Sequence, residues 1–210
     1  MHDGVLPKRK GILFVISGPS GVGKGTLKDT LLKQQIDIQY SVSATTRPPR
    51  PGEVHGEHYF FLAKDTFCQL VEQGEFLEWA LVYDHYYGTP RSFVLENLQK
   101  GQDVLLEIDI QGARQIRHQF PEGVFIFIAP PDVQELARRL RKRGKDSIEA
   151  IEKRLSSYAE EMAQLQHYDY LVVNDRVEAA AEKLVAIMVA ERCRVTRLIR
   201  GEDNETAFDK

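Results

Sequence analysis

Ile16-Ser-Gly-Pro-Ser-Gly-Val-Gly-Lys-Gly-Thr26 is the stretch whose reading decides the fold. Ahead of it runs Ile12-Leu13-Phe14-Val15-Ile16, with the length and β-branched content of a buried parallel strand. Behind it Leu27, Leu31 and Leu32 recur at helical spacing, so the glycines sit at a strand-to-helix turn. Gly18, Gly21 and Gly23 admit backbone angles closed to other residues and turn successive N–H groups onto one anion. The helix that follows adds its positive end, and Lys24 is placed to reach outer phosphates. A glycine turn with an exposed lysine is the plain alternative, and the strand and helix on either side speak against it. The stretch 18–26, with Pro19, Ser20 and Val22 between its glycines, is read as a nucleotide-phosphate cradle. The usual pattern G-x-x-x-x-G-K-[ST] puts a hydroxyl directly after the lysine. Here Gly25 stands in that place and Thr26 follows, so the metal-facing hydroxyl must come from Thr26, from water or from elsewhere.

From this centre the chain alternates strands and helices. A helix to about residue 34 and a short strand over 36–42 are expected first. Ser43-Ala-Thr-Thr-Arg47-Pro-Pro-Arg50-Pro-Gly-Glu53 follows, where the prolines exclude helix and central strand and predict an extended surface loop. A strand is predicted over 58–62, then a helix capped by Asp65 with Phe67, Leu70 and Val71 inward, stopped by Gly74. Residues 76–82 read as a strand and 83–89 as an aromatic loop. Pro90 opens a helix that Gly101 ends. Val104-Leu-Leu-Glu107-Ile-Asp109 reads as a central strand with carboxylates at its end, followed by a helix through Arg117 and a strand over 124–128. Pro131 and Asp132 start a helix reaching Arg143; Gly144-Lys145 breaks it. Asp146-Ser-Ile-Glu149 resembles a capping box for a helix to about residue 166. A last strand over 170–173 and a long helix over 177–199 close the fold.

Buried strands alternating with helices give an α/β fold, a parallel sheet with helices on both faces, and the phosphate loop at the carboxyl ends of its strands. Residues 43–100 lack that rhythm and read as an inserted small mixed α/β lobe. Residues 1–10 and 201–210 read as flexible tails.

The chain has 210 residues, enough for one such domain with inserted parts. Its formal net charge of −3 does not imply wholesale nucleic-acid binding; the arginines are clustered, which points to local anion sites. Cys68 and Cys193 fit neither a disulfide framework nor a metal spacing, which is simplest in a reducing compartment. No signal peptide or membrane span is apparent. A soluble, cytoplasmic protein is expected.

Arg47 and Arg50 stand in a proline-stiffened loop, where a guanidinium fork can clamp a phosphate. Arg138, Arg139, Arg141 and Arg143 surround Gly144, with Arg139 and Arg143 on one helical face. Arg154 can approach the same point if residues 139–154 fold over as a lid. Taken singly, each group reads as solvated surface charge. Together they suit phosphoryl transfer between two nucleotides, where catalysis is largely positioning and electrostatics.

Asp109 can hold Mg²⁺ through water, or an arginine of the acceptor clamp, and Glu107 lies two residues back on the same face. Glu78, in Phe76-Leu-Glu-Trp79, is costly in an apolar setting unless paired. Guanine N1–H and N2–H₂ would satisfy it bidentately, and adenine offers no such edge; an arginine partner or a surface position is the plainer reading. His55, His58 and His85 are spaced irregularly for a metal site, Tyr86 and Tyr87 could be core, and Asn174 could be a helix cap.

The run from Ser41 to Phe60, containing Ser43-Ala-Thr-Thr-Arg47-Pro-Pro-Arg50-Pro-Gly-Glu53 and Tyr59, resembles the nucleoside-monophosphate-binding signature of bacterial-type guanylate kinases. Phe76-Leu-Glu78-Trp79, Tyr86-Tyr87-Gly88-Thr89, Ile108-Asp109-Ile-Gln111-Gly112, Arg141-Lys-Arg143-Gly144 and Val173-Asn174-Asp175 follow in that family's order. The G-K-G-T form of the phosphate loop is itself similar to several nucleoside monophosphate kinases. The resemblance spans about residues 11–200. It implies a P-loop core (11–42 and 101–200), a GMP-binding lobe (43–100) and a helical lid (about 139–154). It implies an Mg²⁺-dependent ATP:GMP phosphotransferase acting on GMP or dGMP, with a place in purine nucleotide metabolism and GMP recycling. By position, Ser43 and Glu78 would read guanine with Thr89 beside them. Arg47, Arg50, Tyr59 and Tyr87 would grip the GMP phosphate, near Asp109. Lys24, Arg139, Arg143 and Arg154 would surround the transferred group, and Asn174 would lie near adenine. Thr26 and Asp109 are the metal candidates. Gly25 and Glu107 depart from the family pattern, which commonly has serine and aspartate there. No nucleic-acid or membrane partner is implied, and no helical face decides for or against a homodimer. A non-catalytic module of the same fold would lack the phosphate loop or the lid arginines, all present here, and a kinase for another base would need no carboxylate at position 78.

Overall fold

The computed structural model describes residues 9–34, 36–82, 84–142 and 148–198. In chain order the elements are β1 (Leu13–Ser17), α1 (Lys24–Leu32), β2 (Gln39–Tyr40), β3 (Ala44–Thr45), β4 (Phe60–Phe61), α2 (Lys64–Glu72), β5 (Phe76–Val82), β6 (His85–Pro90), α3 (Arg91–Gln99), β7 (Val104–Glu107), α4 (Ile110–Gln119), β8 (Val124–Ala129), α5 (Val133–Lys142), α6 (Ile148–Ser156), α7 (Tyr158–Ala163), β9 (Tyr170–Val173) and α8 (Val177–Arg192).

Five strands in the order β2-β7-β1-β8-β9 form the main sheet, and every pairing in it is parallel. Side chains alternate across each strand, so this sheet feeds two cores. Ile12, Phe14 and Ile16 face Leu27 and Leu31 of α1, Leu136 and Leu140 of α5 and Leu184 of α8. Leu13 and Val15 face Val94 and Leu98 of α3 and Ala113 and Ile116 of α4. Burial on both faces is why 13–16, 104–106 and 124–129 are continuous apolar runs.

A second sheet, in the order β4-β3-β6-β5, carries α2, with Phe67 stacked on Phe76 at 4.5 Å and on Tyr86 at 5.5 Å. It leans on the main sheet through α4. Gln115 accepts from Trp79 N and donates to Trp79 O, and Gln119 donates to Leu77 O, so two glutamines a turn apart take up backbone groups of the edge strand β5.

Several expectations need correction. Within the expected loop over 83–89, residues 85–89 are strand: β6 pairs antiparallel with both β5 and β3. The proline-rich segment does not begin at the surface, because Ser43, Ala44 and Thr45 are buried and β3 bridges β4 and β6. Asp65 does not cap α2; Ala63 precedes the helix and Asp65 stands in its first turn, where a negative charge suits the dipole. The helix expected to 166 is divided into α6, α7 and a 3-10 turn at Gln164–His167. The last helix ends at Arg192, and a 3-10 turn at Val195–Arg197 follows it. Arg9 is not part of a loose tail: it pairs with buried Asp103, which Arg192 also grips, and bridges Leu198. Gly144, Lys145 and the first residues of the capping box, Asp146 and Ser147, lie outside the described residues. No helix among the described residues is long and apolar enough to cross a membrane.

Candidate active site

A cleft of about 670 Å³ opens where the carboxyl ends of β1 and β7 face the second sheet and the start of α7. Its floor is the phosphate loop. Gly18, Gly21 and Gly23 have φ of 142°, 91° and 90°, the left-handed side of backbone space that other residues avoid. A side chain at Gly18 would also overlap the Ile128 carbonyl oxygen, so the loop can lie this close to β8 only as glycine. Lys24 arches back over the loop, with Nζ donating to the carbonyls of Gly18 at 2.6 Å and Pro19 at 3.1 Å. This holds its charge above the N-terminus of α1, whose first N–H groups have no helical acceptor.

Behind the loop, the Val22 carbonyl accepts from Asn174 Nδ2 at 2.8 Å and Arg139 Nη1 at 3.2 Å, while Arg139 Nη2 donates to Asn174 O at 2.9 Å. Asn174 is buried and clamps the loop; it is not the cap of α8, whose N-cap is Arg176. Arg139 also pairs with Glu135, whose carboxyl is held down at about 2 by Arg138 and Arg139. Pro19, Val22, Arg139 and Asn174 thus shape the loop from outside the cleft, whereas Gly18, Ser20, Gly21, Gly23, Lys24 and Gly25 line it. Arg154 lines it too and donates to Ser20 Oγ at 2.7 Å, which ties α6 to the loop. Arg143 lies outside the described residues.

The second sheet supplies the opposite wall. Ser43, Arg50, Tyr59, Glu78 and Tyr87 line it, with the rings of Tyr59 and Tyr87 edge to face at 5.9 Å. Arg47 stands behind them with only 9% of its surface exposed, pairing with Glu53 at 2.9 Å under the Tyr59 ring. Glu53 also accepts the Arg50 N–H, and these bonds outweigh burial and keep its carboxyl low.

Glu78 is not at the surface and has no arginine partner among the described residues. It is 5% exposed and accepts from Thr89 Oγ1 at 2.7 Å. Burial pushes its carboxyl up to about 8, with Asp109 adding to the rise and Thr89 opposing it. A Cβ at Gly112 would overlap Glu78 Oε2, so the carboxylate can occupy this position beside α4 only while residue 112 is glycine. Asp109 caps α4 by accepting from Gly112 N at 2.7 Å; burial raises its carboxyl, and Gly112 and Lys24 pull it down.

Glu161 on α7 went unnoticed in the sequence. It lines the cleft, accepts the Ser20 backbone N–H, and is raised by burial against the opposing pull of Lys24 and Arg154. Arg114, Gln111 and Ser157 line the cleft as well. These are polar residues on polar helices, and their spacing alone carries no signal. His55 and His58 each accept a backbone N–H, from Phe61 and Val54.

A divalent cation fits one end of the cleft. Asp109 Oδ2 is buried without a hydrogen-bond partner among the described residues, and Glu107 faces Gly25 beside the lysine. Among the described residues no three His, Cys, Asp or Glu side chains converge, so the protein alone builds no metal cage. That is the usual situation for Mg²⁺, which takes one or two carboxylates together with substrate phosphates and water. Thr26 is exposed and does not line the cleft.

Comparison with known proteins agrees with this geometry. The guanylate kinase family model matches residues 10–191. The chain is 60% identical over 190 residues to a guanylate kinase of Syntrophomonas wolfei, covering 90% of this chain and 97% of that protein. It is 55% identical to one of Caldanaerobacter subterraneus, covering 90% and 92%. The crystal structure of guanylate kinase from Anaplasma phagocytophilum superposes with a TM-score of 0.79 at 35% identity, covering 92% of this chain and 93% of that one.

Proposed function

The chain belongs to the guanylate kinase family, and on that premise we propose that it transfers the γ-phosphoryl group of ATP to GMP, giving ADP and GDP. The observation that carries the base assignment is Glu78: a buried carboxylate bonded to Thr89, in the same cleft as the phosphate loop. Guanine offers two adjacent donors to it, with Ser43 beside them; adenine would leave the carboxylate unpaired, which a buried polar site penalises heavily.

Arg50, Tyr59 and Tyr87 hold the acceptor phosphate, with Arg47 and Glu53 fixing the loop that presents Arg50. A phosphate monoester is largely dianionic at neutral pH, so the attacking oxygen needs no strong base. That oxygen bonds to the γ-phosphorus as the bond to the bridging oxygen of ADP breaks. The loop N–H groups and Lys24 bind the donor phosphates, and Lys24 and Arg154 stabilise charge spread over the transferred group. Arg139 and Asn174 hold the loop's shape and bound the donor nucleotide. Glu107 and Asp109, the carboxylates beside the loop, would hold Mg²⁺, which would neutralise charge on the donor phosphates. The γ-phosphoryl group is exposed to hydrolysis unless water is excluded, a task for the segment 139–154. Deoxyguanylate is accepted by the same base contacts, and the protein works in the cytoplasm.

An ADP-release assay with ATP and Mg²⁺ tests the reading, with GMP, AMP, UMP and CMP compared as acceptors. Turnover confined to GMP, weakened in Glu78→Gln and abolished in folded Lys24→Ala, is the expected result. A folded protein that binds GMP but turns over no acceptor would be a binding module instead.

A further inference from the structure

Two departures from the expected pattern meet in space. Gly25 takes the place after Lys24 where a phosphate loop ordinarily carries a hydroxyl. A Cβ built at Gly25 would stand 3.7 Å from Glu107 Oε1 and 3.8 Å from Oε2, the two contacts it would make within 4 Å outside its own helix and chain neighbours among the described residues. Those distances are ordinary contact, so the position accommodates a Cβ, and the group facing that space is the Glu107 carboxylate. Glu107 ends β7 in register with Ile16 of β1, next to the start of the loop, and both it and Gly25 line the cleft. The next hydroxyl along the helix, that of Thr26, is on the exposed side.

Resting on the ATP-kinase reading above, we propose that Glu107 and Gly25 are an exchanged pair. The Glu107 carboxylate supplies, next to the donor phosphates, the hard oxygen ligand to the divalent cation that a hydroxyl at position 25 would otherwise give. Glutamate is one methylene longer than aspartate, and that length carries its oxygens over Gly25. Hydroxyl and carboxylate oxygens are both suited to Mg²⁺, so the exchange keeps the donor type and adds a charge. Asp109, with its orphaned buried Oδ2, completes the acidic side of the same corner.

The test is Mn²⁺ binding to the full chain, read by electron paramagnetic resonance of the free ion, in the presence of a non-hydrolysable ATP analogue. Analogue affinity is measured separately in EDTA, and thermal melts confirm folding. Glu107→Gln and Glu107→Asp should each weaken Mn²⁺ binding by about tenfold or more, and Gly25→Ser should bring Glu107→Asp back to within about threefold of the parent. Mn²⁺ affinity unchanged in both Glu107 variants overturns the proposal, as does a loss that Gly25→Ser fails to rescue. If the parent chain does not bind the analogue at all, the ATP-kinase reading itself has failed, a different result from either.

Discussion

Glu78 and Thr89 are register partners on β5 and β6, joined by a 2.7 Å hydrogen bond in the wall of the cleft. The charged neighbour acting on that carboxylate is another carboxylate, Asp109. In the unliganded protein this is therefore a group waiting for donors, and its proton is the simplest handle on it.

The carboxyl of Glu78 ordinarily titrates near 4.5 and is pushed up to about 8 by burial. Between those values the unfolded chain binds fewer protons than the folded one, so the contribution of Glu78 to stability falls as pH rises through that window and levels off above it. Glu78→Gln, which keeps an acceptor for Thr89, should be more stable than the parent at pH 8, by on the order of 4 kcal/mol, with the gap closing towards pH 5. The same variant should lose about a hundredfold in kcat/KM for GMP. Melting curves at the two pH values, beside acceptor kinetics, check both; a Gln variant less stable at pH 8 would contradict the burial argument.

Guanine binding should ionise Glu78, because its N–H donors favour the carboxylate. GMP affinity then rises with pH up to about 8, and binding at pH 7 releases most of a proton. Calorimetry in buffers of different ionisation enthalpy reads that proton directly. The release should vanish in Glu78→Gln, which separates it from titration of the ligand phosphate.

Gly112→Ala should be damaging out of proportion to one methyl group. The added Cβ overlaps Glu78 Oε2, on the strand that α4 holds through Gln115 and Gln119. Either the carboxylate turns from the cleft or β5 moves off α4. The expected cost is about 1–3 kcal/mol of stability, with KM for GMP raised more than KM for ATP. Equal changes in both constants would mean that the helix shifts as a whole and Glu78 is not the contact that gives way.

These relationships also mark what could be read in advance. The phosphate loop and the strands at 13–17, 104–107 and 124–129 are local or fully buried, so apolar runs and glycine spacing reveal them. The stretch 83–89 reads as a loop because it has no alternating pattern, yet His85–Pro90 is β6, the interior strand between β3 and β5. At Ala44-Thr45 the prolines downstream mask a strand too short to show a period. The contacts of Gly112 with Glu78, of Gly25 with Glu107 and of Glu161 with Ser20 join residues far apart in the chain. Only the folded arrangement gives these polar residues a partner, so no spacing rule finds them.

Asn174, which the family resemblance places near adenine, and Arg139, which it places around the transferred group, both donate to the Val22 carbonyl in the middle of the phosphate loop. Asn174→Ala removes the shorter of these bonds from a buried site, leaving Val22 O to Arg139 alone at 3.2 Å. Loss of a buried amide bond costs about 1–3 kcal/mol, and here that cost falls on the conformation of the loop that receives the donor phosphates. KM for ATP should therefore rise about tenfold while KM for GMP, set by the opposite wall, changes little. Arg139→Lys should behave in the same direction but more mildly, because an ammonium can still reach one carbonyl but not two. Steady-state kinetics with each substrate varied in turn separate the cases. A fall in kcat with both KM values unchanged would instead place Arg139 at the transferred phosphoryl group.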